Sequence, residues 1–177
     1  MDAVALITRD HRTAERLFQR LRQAPEHERR PALDRLIREL WVHSTIEDEI
    51  LYPSLREVVP PDESSDRNLQ GPVPARSSLH ELERMAVDDP AIVPKLRSLL
   101  EDLRTHIRVQ EEELLPQLER TLPPGLLHEV GEEMERAKQR VTRPGDGLAT
   151  AGSEDDGDRA AALVDRIRDR VAARRSM

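Results

Sequence analysis

Hydrophobic residues recur at helical spacing along most of the chain. In the first stretch, residues 2–23, apolar side chains return at alternating steps of three and four, as on one face of a helix. Comparable stripes follow, separated by prolines or polar turns, in residues 31–58, 76–87, 90–122 and 125–141. Between the second and third stripes, residues 59–75 carry prolines and polar side chains, and we expect a loop there.

This pattern predicts an all-α protein. Four helices that each carry one apolar stripe bury those stripes most economically in an antiparallel four-helix bundle. The stretch 125–141 is then an appended fifth helix, and the bundle domain covers residues 1–142. Aromatic residues make up only 2% of the chain, and this scarcity argues against a sheet.

The character of the chain changes after residue 142. Residues 143–158 are rich in glycine and acidic side chains, and we predict a flexible acidic linker. Residues 159–177 are rich in arginine and place Ala160, Val164, Ile167 and Val171 at helical spacing. We therefore predict a basic amphipathic tail helix that is detached or weakly docked, and that folds on the bundle or on a protein partner.

Composition and charge narrow the class of protein. No run approaches the roughly 18 to 20 apolar residues that cross a bilayer, and no basic segment opens the chain, so we expect a cytoplasmic protein that does not enter a membrane. The formal net charge of -7 disfavours nucleic acid as a partner. Because the chain has no cysteine, any metal must be held by histidine, carboxylate or other oxygen ligands.

A sequence repeat links the second predicted helix to the fourth. At an offset of 63 residues the identical pairs include His43 with His106, Leu51 with Leu114, and Pro53 with Pro116. A duplicated helical hairpin is the natural inference. In each copy the proline deletes a backbone hydrogen bond, and we expect a kink in the helix at that point.

Each of the four predicted bundle helices offers one histidine toward the interior: His11, His43, His80 and His106. A single core histidine is more often structural than a ligand. Glu47 changes this balance, because it lies one turn after His43 and an ionised carboxylate in a core is costly unless it is paired or bound to metal. Such ligands suit iron, manganese or zinc, and their number fits a dinuclear site.

Several motifs together resemble the hemerythrin-like, or HHE cation-binding, domain, over about residues 1–122. They are Asp10-His11, His43 with Glu47 and Leu51-Tyr52-Pro53, Leu79-His80-Glu81, and His106 with Pro116. The resemblance implies a four-helix bundle around a non-haem di-iron centre, two iron ions that are oxo- or hydroxo-bridged, which meets O2, H2O2 or NO. The ligands that it implies are His11, His43, His80 and His106, with Glu47 as the bridging carboxylate.

The chain departs from the family pattern at two positions. Oxygen-carrying hemerythrins have a second histidine one turn after that of the third helix, where this chain has Arg84. Many members have a glutamate four residues after the last histidine, where this chain has Gln110. Glu111 matches the spacing of the second bridging carboxylate in the oxygen carriers, and we favour it as the second bridge. The alternative is that Gln110 binds as a weak neutral ligand. If neither binds, the site holds one metal or binds the second loosely.

The resemblance implies that the histidine absent at Arg84 leaves a coordination position that is open or filled by water or by Tyr52. We treat Tyr52 as a candidate catalytic residue that lines the site; the alternative is an amphipathic residue at a bundle end. An open imidazole-rich iron centre favours peroxide or NO chemistry over reversible carriage of oxygen.

Three functions remain open. One is binding or turnover of O2, peroxide or NO, in a catalase- or peroxidase-like defence against oxidative stress. The second is an oxygen, iron or redox sensor that signals through its tail without turnover. The third is a metal-free interaction bundle with structural histidines. Outside the predicted site, we expect Phe18 and Trp41 in the core, and His27 and His128 at the surface.

Overall fold

The structure is a computed structural model that describes residues 1–59, 73–141 and 154–175. The helices of the described residues are α1 (Ala3–Gln23), α2 (Glu26–Ile46), α3 (Tyr52–Val58), α4 (Val73–Arg84), α5 (Ile92–Val109), α6 (Leu115–Thr121), α7 (Pro124–Arg140) and α8 (Glu154–Arg175). Two π-helical turns, π1 (Glu47–Leu51) and π2 (Gln110–Leu114), join α2 to α3 and α5 to α6. The described residues contain no strand, so the predicted all-α class is confirmed.

Most helix boundaries agree with the hydrophobic pattern to within a few residues. The second helix is the exception, since it begins at Glu26 and keeps Pro31 inside it. Pro31 removes one backbone hydrogen bond close to the exposed start of the helix, where the loss is tolerated. Residues 60–72 of the predicted loop lie outside the described residues. None of the described helices combines the length and apolar character needed to cross a membrane.

The prolines of the repeat follow the two π-helical turns. Pro53 and Pro116 are the second residues of α3 and α6. At the end of π1 the Tyr52 amide donates to the carbonyl of Glu47, five residues earlier, and Leu115 donates to Gln110 in the same way. A proline has no amide hydrogen to donate, and the wider turn lets the helix continue through this gap. The turns π1 and π2 thus lie just before the prolines at which the repeat predicted kinks.

A polar layer divides the apolar core into two clusters. Along α1, Leu6 and Ile7 belong to the first cluster and Leu17 and Phe18 to the second, with His11 between them. The same change of cluster occurs beside His43 in α2, and again around His106 in α5 and Gln110 in π2. Phe18 and Trp41 are buried in the second cluster, so their predicted core positions are confirmed.

The tail helix α8 packs on the rest of the fold. Leu163, Ile167 and Val171 are buried in the same apolar cluster as residues of α3 and α7. At the edges of this contact Arg168 pairs with Glu57 at 2.9 Å, and Arg166 pairs with Glu129 at 2.9 Å. The helix begins at Glu154, so the last five residues assigned to the acidic linker are helical. Residues 142–153 lie outside the described residues.

Candidate metal centre

Four side chains from three parts of the chain meet in the polar layer. They are His11 in the middle of α1, His43 near the end of α2, Glu47 at the start of π1, and His106 near the end of α5. One potential ligand atom from each lies within 4.8 Å of the others, and the described residues contain no second group of this kind. Glu47 is fully buried, His11 and His43 are buried, and His106 is partly exposed. We call these four residues the histidine cluster.

The three imidazole rings of the cluster pack edge to face against one another. Their centroids lie 5.1 Å apart for His11 and His43, and 5.9 Å apart for His106 and either of the other two. Glu47 Oε1 lies 3.3 Å from His43 Nε2 and 3.2 Å from His106 Nε2. The three imidazole rings and the Glu47 carboxylate therefore meet at one place between the two apolar clusters.

Several ligand atoms of the cluster have no hydrogen-bond partner. They are His11 Nε2, His43 Nε2 and Glu47 Oε2, all buried. An unsatisfied buried polar group costs about 1 to 3 kcal/mol, and more when it is charged. A bound cation removes this cost, and a set of imidazole and carboxylate donors suits iron and other first-row transition metals. The residues present therefore fit a metal ion.

The electrostatics of the cluster favour the deprotonated forms of His11, His43 and Glu47, and act in the opposite direction on His106. Burial lowers the pKa of His43 to about 4, so its ring is neutral. Burial acts to raise the pKa of Glu47, but the neighbouring His43 and His106 outweigh it and hold this pKa at about 2. Burial also lowers the pKa of His11, whereas Glu47 outweighs burial at His106 and raises its pKa. A neutral imidazole and an ionised carboxylate are the forms that bind metals.

Contacts outside the cluster orient His11. Its Nδ1 donates to Glu111 Oε1 at 2.9 Å, and Glu111 Oε2 accepts from Arg12 at 3.0 Å. A carboxylate on the outer nitrogen of an imidazole sets the tautomer and directs the inner nitrogen at the metal. The preceding Asp10 accepts two hydrogen bonds of 2.7 Å from Lys138, which ties α7 to α1 beside the cluster. Glu111 thus lies behind His11, outside the four cluster residues.

Gln110 and Tyr52 line the cluster on the side of the π-helical turns. Gln110 is 1% exposed, and its Nε2 donates to Glu47 Oε1 and, at 3.2 Å, to the Tyr52 hydroxyl. Burial and the charge of Glu47 raise the pKa of Tyr52, so the phenol stays protonated. Tyr52 is therefore linked to the cluster through Gln110.

The structure does not bring His80 to the cluster. Its side chain is 55% exposed, its ring packs on Trp41 with 4.9 Å between centroids, and its Nδ1 lies 3.8 Å from Glu83. The cause is the packing of α4, which buries Leu79 and Leu82. Successive residues of an α-helix point about 100° apart, so burial of those leucines turns His80 outward.

Three other positions considered in the sequence analysis lie at the surface. Arg84, which stands where oxygen carriers have a histidine, is exposed on the same helix as His80. His27 and His128 have side chains that are 80% and 54% exposed, so their predicted surface positions are confirmed. The sequence predicts Glu111 at the metal site as a second bridging carboxylate, whereas in the structure it bonds the outer nitrogen of His11 and Arg12.

Comparison with known protein families identifies the family of this chain. The chain matches the family model described as the hemerythrin HHE cation binding domain over residues 2–118, a range that holds every residue of the histidine cluster. Searches of the curated proteins and of the solved structures found no match. The family resemblance seen in the motifs is confirmed, and a cation-binding domain fits the buried cluster of donor atoms. The chain therefore belongs to the hemerythrin HHE cation-binding domain family.

Proposed function

We propose that this protein binds iron through His11, His43, Glu47 and His106, and that the iron centre binds or turns over O2, peroxide or nitric oxide. The observation that carries the proposal is the set of buried, unpartnered ligand atoms at one point in the core. Their chemistry suits iron, and the family is described as cation-binding.

The arrangement of the protein's own groups supports reaction with a small ligand. Bound iron would supply redox and Lewis-acid chemistry, and four protein ligands leave room for such a ligand, as in other non-haem iron sites. Glu47 contributes a negative charge, and Glu111 holds the ring of His11 in place. The apolar clusters on both sides limit the entry of water. The Gln110 amide and the Tyr52 hydroxyl are polar groups positioned to orient a bound molecule.

A catalase- or peroxidase-like activity is the most concrete form of this proposal. It is tested by loading the purified protein with ferrous iron, removing unbound metal, and following peroxide consumption and the absorption changes caused by O2 and NO. We expect the parent protein to respond to at least one of the three ligands. His43→Ala should lose both iron and response, while His128→Ala, which alters an exposed histidine, should keep both. An iron-loaded parent that responds to none of the ligands contradicts the proposal.

A sensor that signals through its tail is the second candidate. The observation in its favour is the connection from Glu47 in π1, through α3, to the docked helix α8. Iron or ligand binding at Glu47 would act on the docking of α8 through that path. Hydrogen exchange of α8 with and without iron separates the two: a sensor changes protection of α8, whereas an enzyme without tail signalling does not.

The number of iron ions is a separate question. The two-iron centre favoured by the sequence needs ligands beyond the histidine cluster. Two residues assigned to it, His80 and Glu111, lie elsewhere, one over Trp41 and the other behind His11.

A further inference from the structure

The repeat places Gln110 opposite Glu47. The two residues are 63 positions apart, which is the offset of the repeat, and each is the first residue of its π-helical turn. The layer therefore has two equivalent positions, with a carboxylate at one and an amide at the other. Across the layer, Gln110 Nε2 donates to Glu47 Oε1. An amide nitrogen that donates a hydrogen bond is not a metal ligand, and the amide oxygen of Gln110, which is buried without a hydrogen-bond partner, offers a neutral donor in place of a carboxylate.

A second ion would have no imidazole or carboxylate of its own among the described residues. The four ligand atoms of the histidine cluster lie within 4.8 Å of one another and describe one position. Beyond Gln110, the next polar group is the Tyr52 hydroxyl, which accepts a hydrogen bond from that amide. The Glu111 carboxylate is held by His11 Nδ1 and Arg12. No further carboxylate or imidazole of the described residues joins this group.

Charge also limits the layer to one ion. Among the ligands of the cluster, Glu47 is the one with a negative charge, since the other three are imidazoles. One divalent ion leaves the buried site with a single excess positive charge. Two divalent ions would leave three, and uncompensated charge in a protein core is strongly unfavourable. A glutamate at position 110 would offset part of that excess, whereas the neutral Gln110 does not.

We propose that the centre takes one iron ion per chain, and that Gln110 excludes a second by occupying the equivalent carboxylate position with an amide bonded to Glu47 and Tyr52. This inference rests on the proposed iron site. It goes further by assigning Gln110 the role that decides the number of metal ions.

Iron stoichiometry and electron paramagnetic resonance test this inference without an activity assay. The full chain is loaded with ferrous iron, freed of unbound metal, oxidised, and analysed for iron per chain. An isolated high-spin ferric ion is paramagnetic, while two coupled ferric ions cancel each other's spin. We expect one iron per chain in the parent, with a ferric signal that integrates to about one spin per iron.

Gln110→Glu should raise the iron content toward two per chain and remove most of the ferric signal. Its matched control is Gln19→Glu, which adds the same charge on the exposed surface of α1 and should behave as the parent does. Two coupled irons in the parent overturn the inference and leave the proposed function standing, whereas absence of iron overturns both. One iron in a folded Gln110→Glu variant overturns the role of Gln110. The parent's own count decides the nuclearity even if that variant fails to fold.

Discussion

Acidification should destabilise the metal-free protein through His43. Burial lowers the pKa of this ring from 6.5 in the unfolded chain to about 4 in the fold. Because the folded pKa is the lower one, the unfolded chain binds the proton more readily between these values. Stability is therefore complete above about pH 6.5 and is lost as the pH falls toward about pH 4. At about pH 5 the loss from this one group amounts to about 2 kcal/mol.

Three neighbouring groups modify this effect. Burial also lowers the pKa of His11, so this ring adds to the loss of stability as the pH falls. The pKa of His106 is raised by Glu47, so protonation of His106 opposes the loss. Glu47, with a pKa held at about 2, stays ionised in this range in the fold and becomes a second source of acid instability as the pH falls through its unfolded value of 4.5.

Urea unfolding of the metal-free protein at about pH 7.5 and about pH 5 measures the effect. The parent should lose about 2 kcal/mol more than His43→Gln, which retains a polar side chain that does not titrate. His128→Gln changes an exposed histidine and should follow the parent. Equal losses in the parent and in His43→Gln would refute the argument, because the buried ring would then contribute nothing to the pH dependence.

Three further predictions concern the ligands, their support and the tail. His106→Ala should abolish the rise in melting temperature that iron produces in the parent, because binding to a folded site is linked to stability; calorimetry with and without iron measures it. Glu111→Gln should weaken iron affinity by about 10- to 100-fold in a competition titration with a chelator, while Glu112→Gln, an exposed change, should not. Ile167→Ala should cost about 2 to 5 kcal/mol in urea unfolding and Arg170→Ala less than about 0.5 kcal/mol; equal values would contradict the docking of α8.

Helical spacing and the family motifs explain why much of the fold and of the polar layer could be predicted from the sequence. Helical spacing places apolar residues on one face of each long helix, and the family motifs mark His11, His43 and His106 on those faces. Glu47 is recognisable because a carboxylate one turn from His43 must share its buried surroundings. The antiparallel four-helix arrangement stays a prediction, while the all-helical class is confirmed.

Other features depend on tertiary contacts that spacing does not encode. His80 stands between two leucines, and only their burial in the fold decides that its ring turns outward onto Trp41. The prolines indicate a local disturbance of the helix, but the bond to the residue five positions earlier is visible only in the structure. The contact between His11 and Glu111 joins distant parts of the chain.

The iron content of the full-length parent, compared with two histidine variants, tests the central claim most directly. After loading with ferrous iron and removal of unbound metal, elemental analysis should find about one iron per chain in the parent and in His128→Ala, and almost none in His43→Ala. Iron absent from the parent, or retained equally by all three proteins, would contradict a metal centre built on the histidine cluster.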